Sequence, residues 1–145
     1  MLSTLFSRFG FTAKAPVAEI QRADSVVGTW VVKAPDAPFP HHVFVFNADG
    51  TMQQANPDAG NADTSDSDGK GIWARRGGKV VGKFVEFTAD RKTHRLVSRG
   101  EVSFEIEVTG DRLSGTASAS FDGEDDERLK GPLPTSLDGK RLTLP

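Results

Sequence analysis

Short runs of alternating apolar and polar residues, most of them separated by glycine-containing turns, fill this chain from about residue 25 onward. Alternation with a period of two places successive side chains on opposite faces of a β-strand. The pattern predicts eight strands, over residues 26–33, 41–47, 51–56, 71–76, 79–88, 95–108, 112–121 and 140–144. A series of hairpin-connected strands of this length tends to close on itself, because closure removes the exposed sheet edges. We therefore predict an all-β, eight-stranded antiparallel up-and-down barrel.

One predicted strand has an unusually small inward face. Its inward residues are Leu113, Gly115, Ala117, Ala119 and Phe121. Serine and threonine residues alternate with them and face water. The interior of a small barrel is either packed solid or holds one small ligand. The small residues leave room that either a neighbouring phenylalanine or a ligand would fill.

The first 24 residues have a different pattern. Leu2, Leu5, Phe6 and Phe9 fall on one face of a helix. We predict a short amphipathic N-terminal helix and linker over residues 1–24, followed by the barrel over residues 25–145. Two turns of helix are not stable alone. The apolar stripe would therefore cap a barrel mouth, pack in a homodimer, or fray.

Composition excludes several classes of function. The chain has no cysteine, which rules out disulfides, thiolate nucleophiles and cysteine metal sites. Its 18 basic and 20 acidic residues give a net charge of −2, so we expect no nucleic-acid partner. No apolar run is long enough for a membrane span, and Arg8 interrupts the apolar start of the chain, which is unlike a signal peptide. A cytoplasmic protein is the expectation.

The chain also carries no pattern that names a metal or a cofactor. Asp66, Asp68 and Gly69 fit three places of a calcium-binding loop. Thr64 and Arg75, however, occupy the first and last ligand positions, so no bidentate acid is present. No phosphate-binding loop, dinucleotide fingerprint, zinc pattern or serine nucleophile elbow occurs. We expect no metal and no cofactor.

The predicted strand over residues 79–88 carries a charge on each of its faces. Phe84 shares a face with Glu86, while Val85 and Phe87 share the other face with Lys83. If Phe84 points inward, Glu86 does too, and burial would raise the pKa of its carboxyl. If Val85 and Phe87 point inward, Lys83 enters the barrel instead. Alternation alone leaves both choices open.

Further candidates for a site lie on three other strands. His42 shares a face with Phe44 and Phe46, and an inward histidine near a barrel mouth could carry a proton. Gln54 would add a polar group to the wall. On the strand over residues 71–76, Trp73 and Arg75 share a face. A rim arginine beside an inward tryptophan could receive an anionic or carbonyl-bearing ligand.

The first strand opens with Gly28-Thr29-Trp30, and Arg141 lies early in the last predicted strand. A glycine-x-tryptophan at this point, followed by antiparallel strands, resembles the calycin superfamily, the lipocalin-like small β-barrel proteins. In that family the tryptophan closes one end of the barrel and an arginine near the end of the last strand stacks on it, which is a cation–π contact. The resemblance implies a lipocalin-like barrel whose cavity holds an apolar ligand. Haem is disfavoured, because the glycines that follow the tryptophan in nitrobindin-like barrels are absent here.

Three functions of different classes follow. The first is binding of a small, mostly apolar or aromatic molecule, and the second is a cofactor-free isomerase, cyclase, dehydratase or hydrolase that uses a cavity carboxylate or histidine as acid and base. The third is a solid-cored interaction protein. An all-apolar cavity would favour the first, a buried and unpaired ionisable group the second, and the lack of a cavity the third. The predicted ligand-binding residues are Phe44, Phe46, Gln54, Trp73, Arg75, Phe84, Phe104 and Phe121, and the predicted catalytic residues are Glu86 and His42.

Overall fold

The computed structural model describes residues 24–145. It has nine strands: β1 Gly28–Lys33, β2 His41–Phe46, β3 Thr51–Ala55, β4 Thr64–Asp66, β5 Gly69–Arg76, β6 Lys79–Asp90, β7 Leu96–Thr109, β8 Arg112–Asp122 and β9 Arg128–Arg141. None of these described residues belongs to a helix. The predicted N-terminal helix, and with it the homodimer, lies outside the described residues. Within residues 24–145 no helix has the length and apolar character needed to cross a bilayer.

Eight of the strands close into an antiparallel barrel. Each pairs with its neighbour in the chain, β9 pairs with β1, and β6 pairs with both β5 and β7. The remaining strand, β4, pairs only with the end of β6. The predicted all-β, eight-stranded antiparallel barrel is confirmed, with β4 as an addition inside the long polar segment between β3 and β5.

The two ends of the barrel are built differently. Tight connections at 47–50, 77–78 and 110–111 join strands at one end. At the other end the connections are longer, over residues 34–40, 56–68, 91–95 and 123–127. We call these the closed end and the open end. The arrangement leaves only the open end with enough chain to surround a mouth.

The closed end is sealed by Trp30, which is fully buried. Its indole N–H donates to the Val26 carbonyl at 2.9 Å. The Arg141 guanidinium lies 4.3 Å from the Trp30 ring centroid and also donates to the carbonyls of Val27 and Ser25. This confirms the predicted pairing of tryptophan and arginine, since the cation is held over the ring by backbone acceptors.

Gly28 is required at this end by its backbone. Its φ is +138°, where residues with a side chain are strained. A Cβ at this position would also lie 2.8 Å from Arg141 Nη1. The glycine of the glycine-x-tryptophan pair therefore makes space for the arginine that covers the tryptophan.

The last strand is longer than predicted. The predicted strand begins at residue 140, but β9 begins at Arg128 and contains Pro132 and Pro134. Because β1 pairs only with Asp138–Arg141, the first part of β9 has a partner on one side alone, β8. A strand with a free edge tolerates prolines, which cannot donate to a second neighbour.

The structure decides which face of the predicted strand over residues 79–88 points into the barrel. Phe84 is buried in the core, whereas Lys83 lies outside and pairs with Glu101 at 2.6 Å. Glu86 therefore points into the barrel. Gly100 keeps unbroken register with Glu86, and the irregularity of this strand pair lies between Thr88 and Ala89.

Candidate functional site

The open half of the barrel contains a cavity of about 610 Å³. Its apolar floor and walls come from several strands of the barrel. They are formed by Phe44, Phe84, Val102, Ala117, Ala119, Phe121 and Leu137. The mouth is bordered by Phe39 of the 34–40 connection, by Val97 at the start of β7, and by Leu129 and Leu133 in the first part of β9. Most of the surface that a guest would meet is therefore apolar.

Small side chains on β8 create this space. Ala117 pairs with Phe104 and Ala119 with Val102 across the β7–β8 ladder, so the alanines oppose larger residues without filling the lumen. In the closed half, Phe104 instead lies across Gly82, where a Cβ would come within 2.2 Å of its ring. The aromatic residues thus pack one half of the barrel and leave the other half hollow.

The predicted aromatic wall is divided between these two halves. Phe44, Phe84 and Phe121 line the cavity. Phe46 and Phe104 are buried in the packed core, and Trp73 packs against the core and donates its indole N–H to the Asn47 carbonyl at 2.9 Å.

Arg75 also lies away from the cavity. It is at the closed end, where its guanidinium pairs with Asp24 at 2.9 Å. The rim arginine expected to receive a ligand therefore serves the opposite end of the barrel. Four of the predicted ligand-binding residues therefore lie outside the cavity. They are on the predicted strand faces but nearer the closed end of the barrel: Phe46, Trp73, Phe104 and Arg75.

Gln54 is almost fully buried in the cavity wall. Its hydrogen bonds determine which ring nitrogen of His42 carries the proton. The Gly69 backbone N–H donates to Gln54 Oε1 at 3.1 Å. The amide nitrogen of Gln54 therefore faces the other way, 2.7 Å from Asn56 Oδ1 and 2.8 Å from His42 Nδ1. An amide NH₂ only donates, so His42 Nδ1 must accept and the ring proton must sit on Nε2.

His42 is held as a neutral ring. Burial lowers the pKa of its imidazole, although the nearby Phe39 carbonyl acts in the opposite direction. Its Nε2 atom is buried and has no hydrogen-bond partner among residues 24–145. With Nδ1 engaged by Gln54 and Nε2 enclosed, neither nitrogen is offered to the cavity. The side chain lines the site, but a proton-carrying role would require the ring to move.

Glu86 is the ionisable group that remains free. The register that pairs Lys70 with Val85 places Gly69 beside Glu86 on one neighbouring strand, and Gly100 is its partner on the other. A Cβ at Gly100 would lie 3.1 Å from Glu86 Cγ. Gly100 therefore leaves room for the Glu86 side chain inside the barrel with the cavity in front of it. At Gly69 an added Cβ would instead meet Phe84 and Gln54.

The surroundings of Glu86 disfavour its charge. Burial raises the pKa of its carboxyl to about 7, and the negative charges of Asp66 and Asp68 raise it further. Among residues 24–145 no hydrogen bond or positive charge lowers it again. At neutral pH the group is therefore divided between its acid and its carboxylate form, which suits both proton transfer and the binding of a cation.

The segment that carries Asp66 is fastened over the mouth. Asp58 accepts a hydrogen bond from the Asp66 backbone N–H at 2.9 Å and pairs with Arg91 at the same distance. Asp66 in turn accepts from the Thr88 hydroxyl at 2.6 Å. These contacts hold one carboxylate of the polar segment beside the cavity, although the sequence suggests only a long loop.

Sequence reasoning missed the groups that define the environment of Glu86. Gly69, Gly100 and Asp66 became neighbours of Glu86 only through strand register. A signal existed in the glycines, which interrupt otherwise well-patterned strands at positions where backbone or side chains approach closely. The mouth residues of β9 were missed because prolines are unusual inside a strand, and Pro132 and Pro134 lie in the part of β9 that was not predicted.

No group of three or more metal-ligating side chains occurs in residues 24–145. The fold and the cavity together define a closed eight-stranded antiparallel β-barrel with an internal pocket that is open at one end and is lined by the Glu86 carboxyl. Comparison of the chain with family models, with curated proteins and with solved structures found no match.

Proposed function

We propose that this barrel binds a small, mostly apolar molecule in its open half. The observation that carries the proposal is the cavity of about 610 Å³ with phenylalanine, alanine, valine and leucine walls. Small-molecule pockets have volumes of roughly 300 to 1,000 Å³, mostly apolar linings and a few polar groups that orient the guest. Glu86 is the polar group that is free to do so.

We further propose that the barrel is lipocalin-like. Two features support this: the closed antiparallel topology and the Arg141 guanidinium over the Trp30 ring. The resemblance to calycins implies a carrier of an apolar ligand in the lumen. The apolar cavity supports ligand binding whether or not the barrel is lipocalin-like.

Filling the cavity tests the binding proposal. Ala119→Phe places a ring in the open half, and we expect it to weaken the binding of Nile red, a neutral apolar dye, by at least about tenfold. Thr116→Phe is the matched control, because Thr116 lies on the same strand and faces solvent. Fluorescence titration of the wild type and both variants gives the three affinities. Failure of the wild type to bind the dye, or equal affinities in all three, would oppose the proposal.

A second candidate function is a cofactor-free enzyme. The observation that favours it is Glu86, an unpaired carboxyl inside the cavity with a pKa of about 7. An ionisable group without a partner inside the cavity favours an enzyme over a ligand carrier. A carboxylate in an apolar site can remove a proton from a bound substrate because few water molecules stabilise its charge. His42, with both nitrogens occupied or enclosed, contributes less to this hypothesis.

The elimination of 5-nitrobenzisoxazole measures whether Glu86 can act as a base. A base takes the proton from the ring carbon, the carbon–nitrogen triple bond forms, the nitrogen–oxygen bond breaks, and the coloured cyanonitrophenolate is released. We expect a rate that rises with pH through about 7 and falls about 100-fold in Glu86→Gln. Glu105→Gln, which alters a carboxylate on the outer surface, should keep the full rate. Equal rates in wild type and Glu86→Gln would remove Glu86 from catalysis.

A further inference from the structure

The charged groups around the cavity are predominantly acidic. Asp36, Asp66 and Glu86 line it, and Lys130 is the basic residue among its lining positions within the described chain. Lys130 is exposed, whereas Glu86 lies inside the barrel. A guest that enters the mouth therefore passes acidic side chains before it reaches the Glu86 carboxyl.

The other groups that face Glu86 do not offset this negative charge. From β4 and the residues after it come Asp66 and Asp68, and both act on the Glu86 carboxyl as negative charges. From β2 comes His42, a neutral ring with its proton on Nε2. The neighbouring strands present only Gly69 and Gly100 beside it.

The two lysines of β6 pair with glutamates of β7 rather than with Glu86. Lys79 pairs with Glu105 at 3.4 Å and Lys83 pairs with Glu101 at 2.6 Å. Both pairs lie on the outer face of the barrel. Within the described part of the chain, then, Glu86 has no counter-ion, so its half-buried carboxylate lacks the positive charge that would offset its partial loss of water.

We propose that the ligand has an apolar body and a basic amine, whose ammonium group pairs with the Glu86 carboxylate. This inference rests on the proposed binding function and names its ligand class. An anionic guest such as a fatty acid would add a negative charge beside Asp66 and Glu86. A neutral guest would leave the carboxylate form of Glu86 without a counter-ion. An ammonium group supplies the missing positive charge, and the phenylalanine floor receives the apolar body.

Three naphthalene probes of nearly equal size separate these cases: 2-naphthylmethylamine, 2-naphthylmethanol and 2-naphthoate. At about pH 8 we expect the full chain to bind the amine about tenfold more tightly than the alcohol, and the carboxylate most weakly. In Glu86→Gln the amine and the alcohol should bind within about threefold of each other, because the charge that distinguishes them is gone. Glu105→Gln should keep the wild-type order, since its carboxylate is on the outer surface.

The pH dependence gives an independent readout. Below about pH 7 an ammonium guest must displace the Glu86 proton, so its affinity should fall by about tenfold in all and level off near that of the alcohol. The affinity of the alcohol should stay nearly constant over the same range. Both can be measured by competition against Nile red.

The outcomes separate the two proposals. If the alcohol and Nile red bind but the amine shows no advantage that depends on Glu86, the amine inference is wrong and the apolar pocket stands. If none of the probes binds, both proposals fail. If the carboxylate binds most tightly, the cavity accepts anions and the assignment of Glu86 as a counter-ion is overturned.

Discussion

Replacement of Trp30 by alanine is expected to destabilise the barrel by about 3–5 kcal/mol. Trp30 is fully buried, donates to the Val26 carbonyl and lies beneath the Arg141 guanidinium. Its removal would leave a void at the closed end and expose the carbonyls and guanidinium that surround it. Urea denaturation, followed by the fluorescence of the remaining Trp73, gives the free energy of unfolding.

Val31→Ala is the matched control for this variant. Val31 is the next residue of β1, faces the opposite side and is 44% exposed. Its substitution should cost less than about 1 kcal/mol, mostly through lower strand propensity. If Trp30→Ala lowers the free energy of unfolding no more than Val31→Ala does, then the packing of Trp30 at the closed end does not stabilise the fold.

The second large effect is a pH-dependent stability that Glu86 controls. The pKa of this carboxyl is about 7 in the folded chain and 4.5 as its ordinary value. Between these two pH values the folded state holds a proton that the unfolded state has lost, so stability falls as pH rises. Across that window the ionisation of Glu86 costs the fold about 3 kcal/mol, a cost absent below pH 4.5 and complete above pH 7.

Glu86→Gln removes this dependence. We expect the variant to match the wild type within about 1 kcal/mol near pH 4.5 and to be about 3 kcal/mol more stable near pH 8. His42 acts with the opposite sign, because its lowered pKa makes stability fall as pH drops below 6.5. The difference between wild type and variant cancels that contribution. It is measured by urea denaturation over this pH range.

Glu105→Gln serves again as the control, since it removes an exposed carboxylate of β7 without touching the cavity. Its stability difference from the wild type should vary little over the same pH range. A constant difference between Glu86→Gln and the wild type at all pH values would mean that the Glu86 carboxyl is solvated rather than buried in the lumen.

Alternation was sufficient to predict which side chains point inward on several strands. On β2 and β3, Phe44 and Gln54 face the lumen as their patterns predict, and on β8 the small face of Ala117 and Ala119 does too. The room that these alanines were expected to leave is present as the cavity. Such predictions succeed because the period of a strand is a local property of its backbone.

Alternation does not give height along the barrel axis. Phe44 and Phe46 share a face and were predicted as equivalent walls, yet only Phe44 meets the cavity, two residues closer to the mouth. Trp73 and Arg75 likewise share a face but lie at the closed end, away from the cavity. Trp73 packs against the core there, and Arg75 pairs with Asp24. Height depends on the stagger between strands, which is set by all the pairings of the closed sheet together.

By itself, the sequence determined the all-β class and the antiparallel order, because strand period and tight turns act over short distances, whereas the sealing of one end by Trp30 and Arg141 was implied only by the resemblance to calycins. Only the tertiary structure decided that Glu86 rather than Lys83 enters the lumen, between Gly69 and Gly100 and within the field of Asp66. Lys83 and Glu86 lie on opposite faces of β6, so the choice depended on which face could bury Phe84 beside Phe44 and Phe104. That packing is a contact between distant strands, and it is what brings an unpaired carboxyl into an apolar cavity.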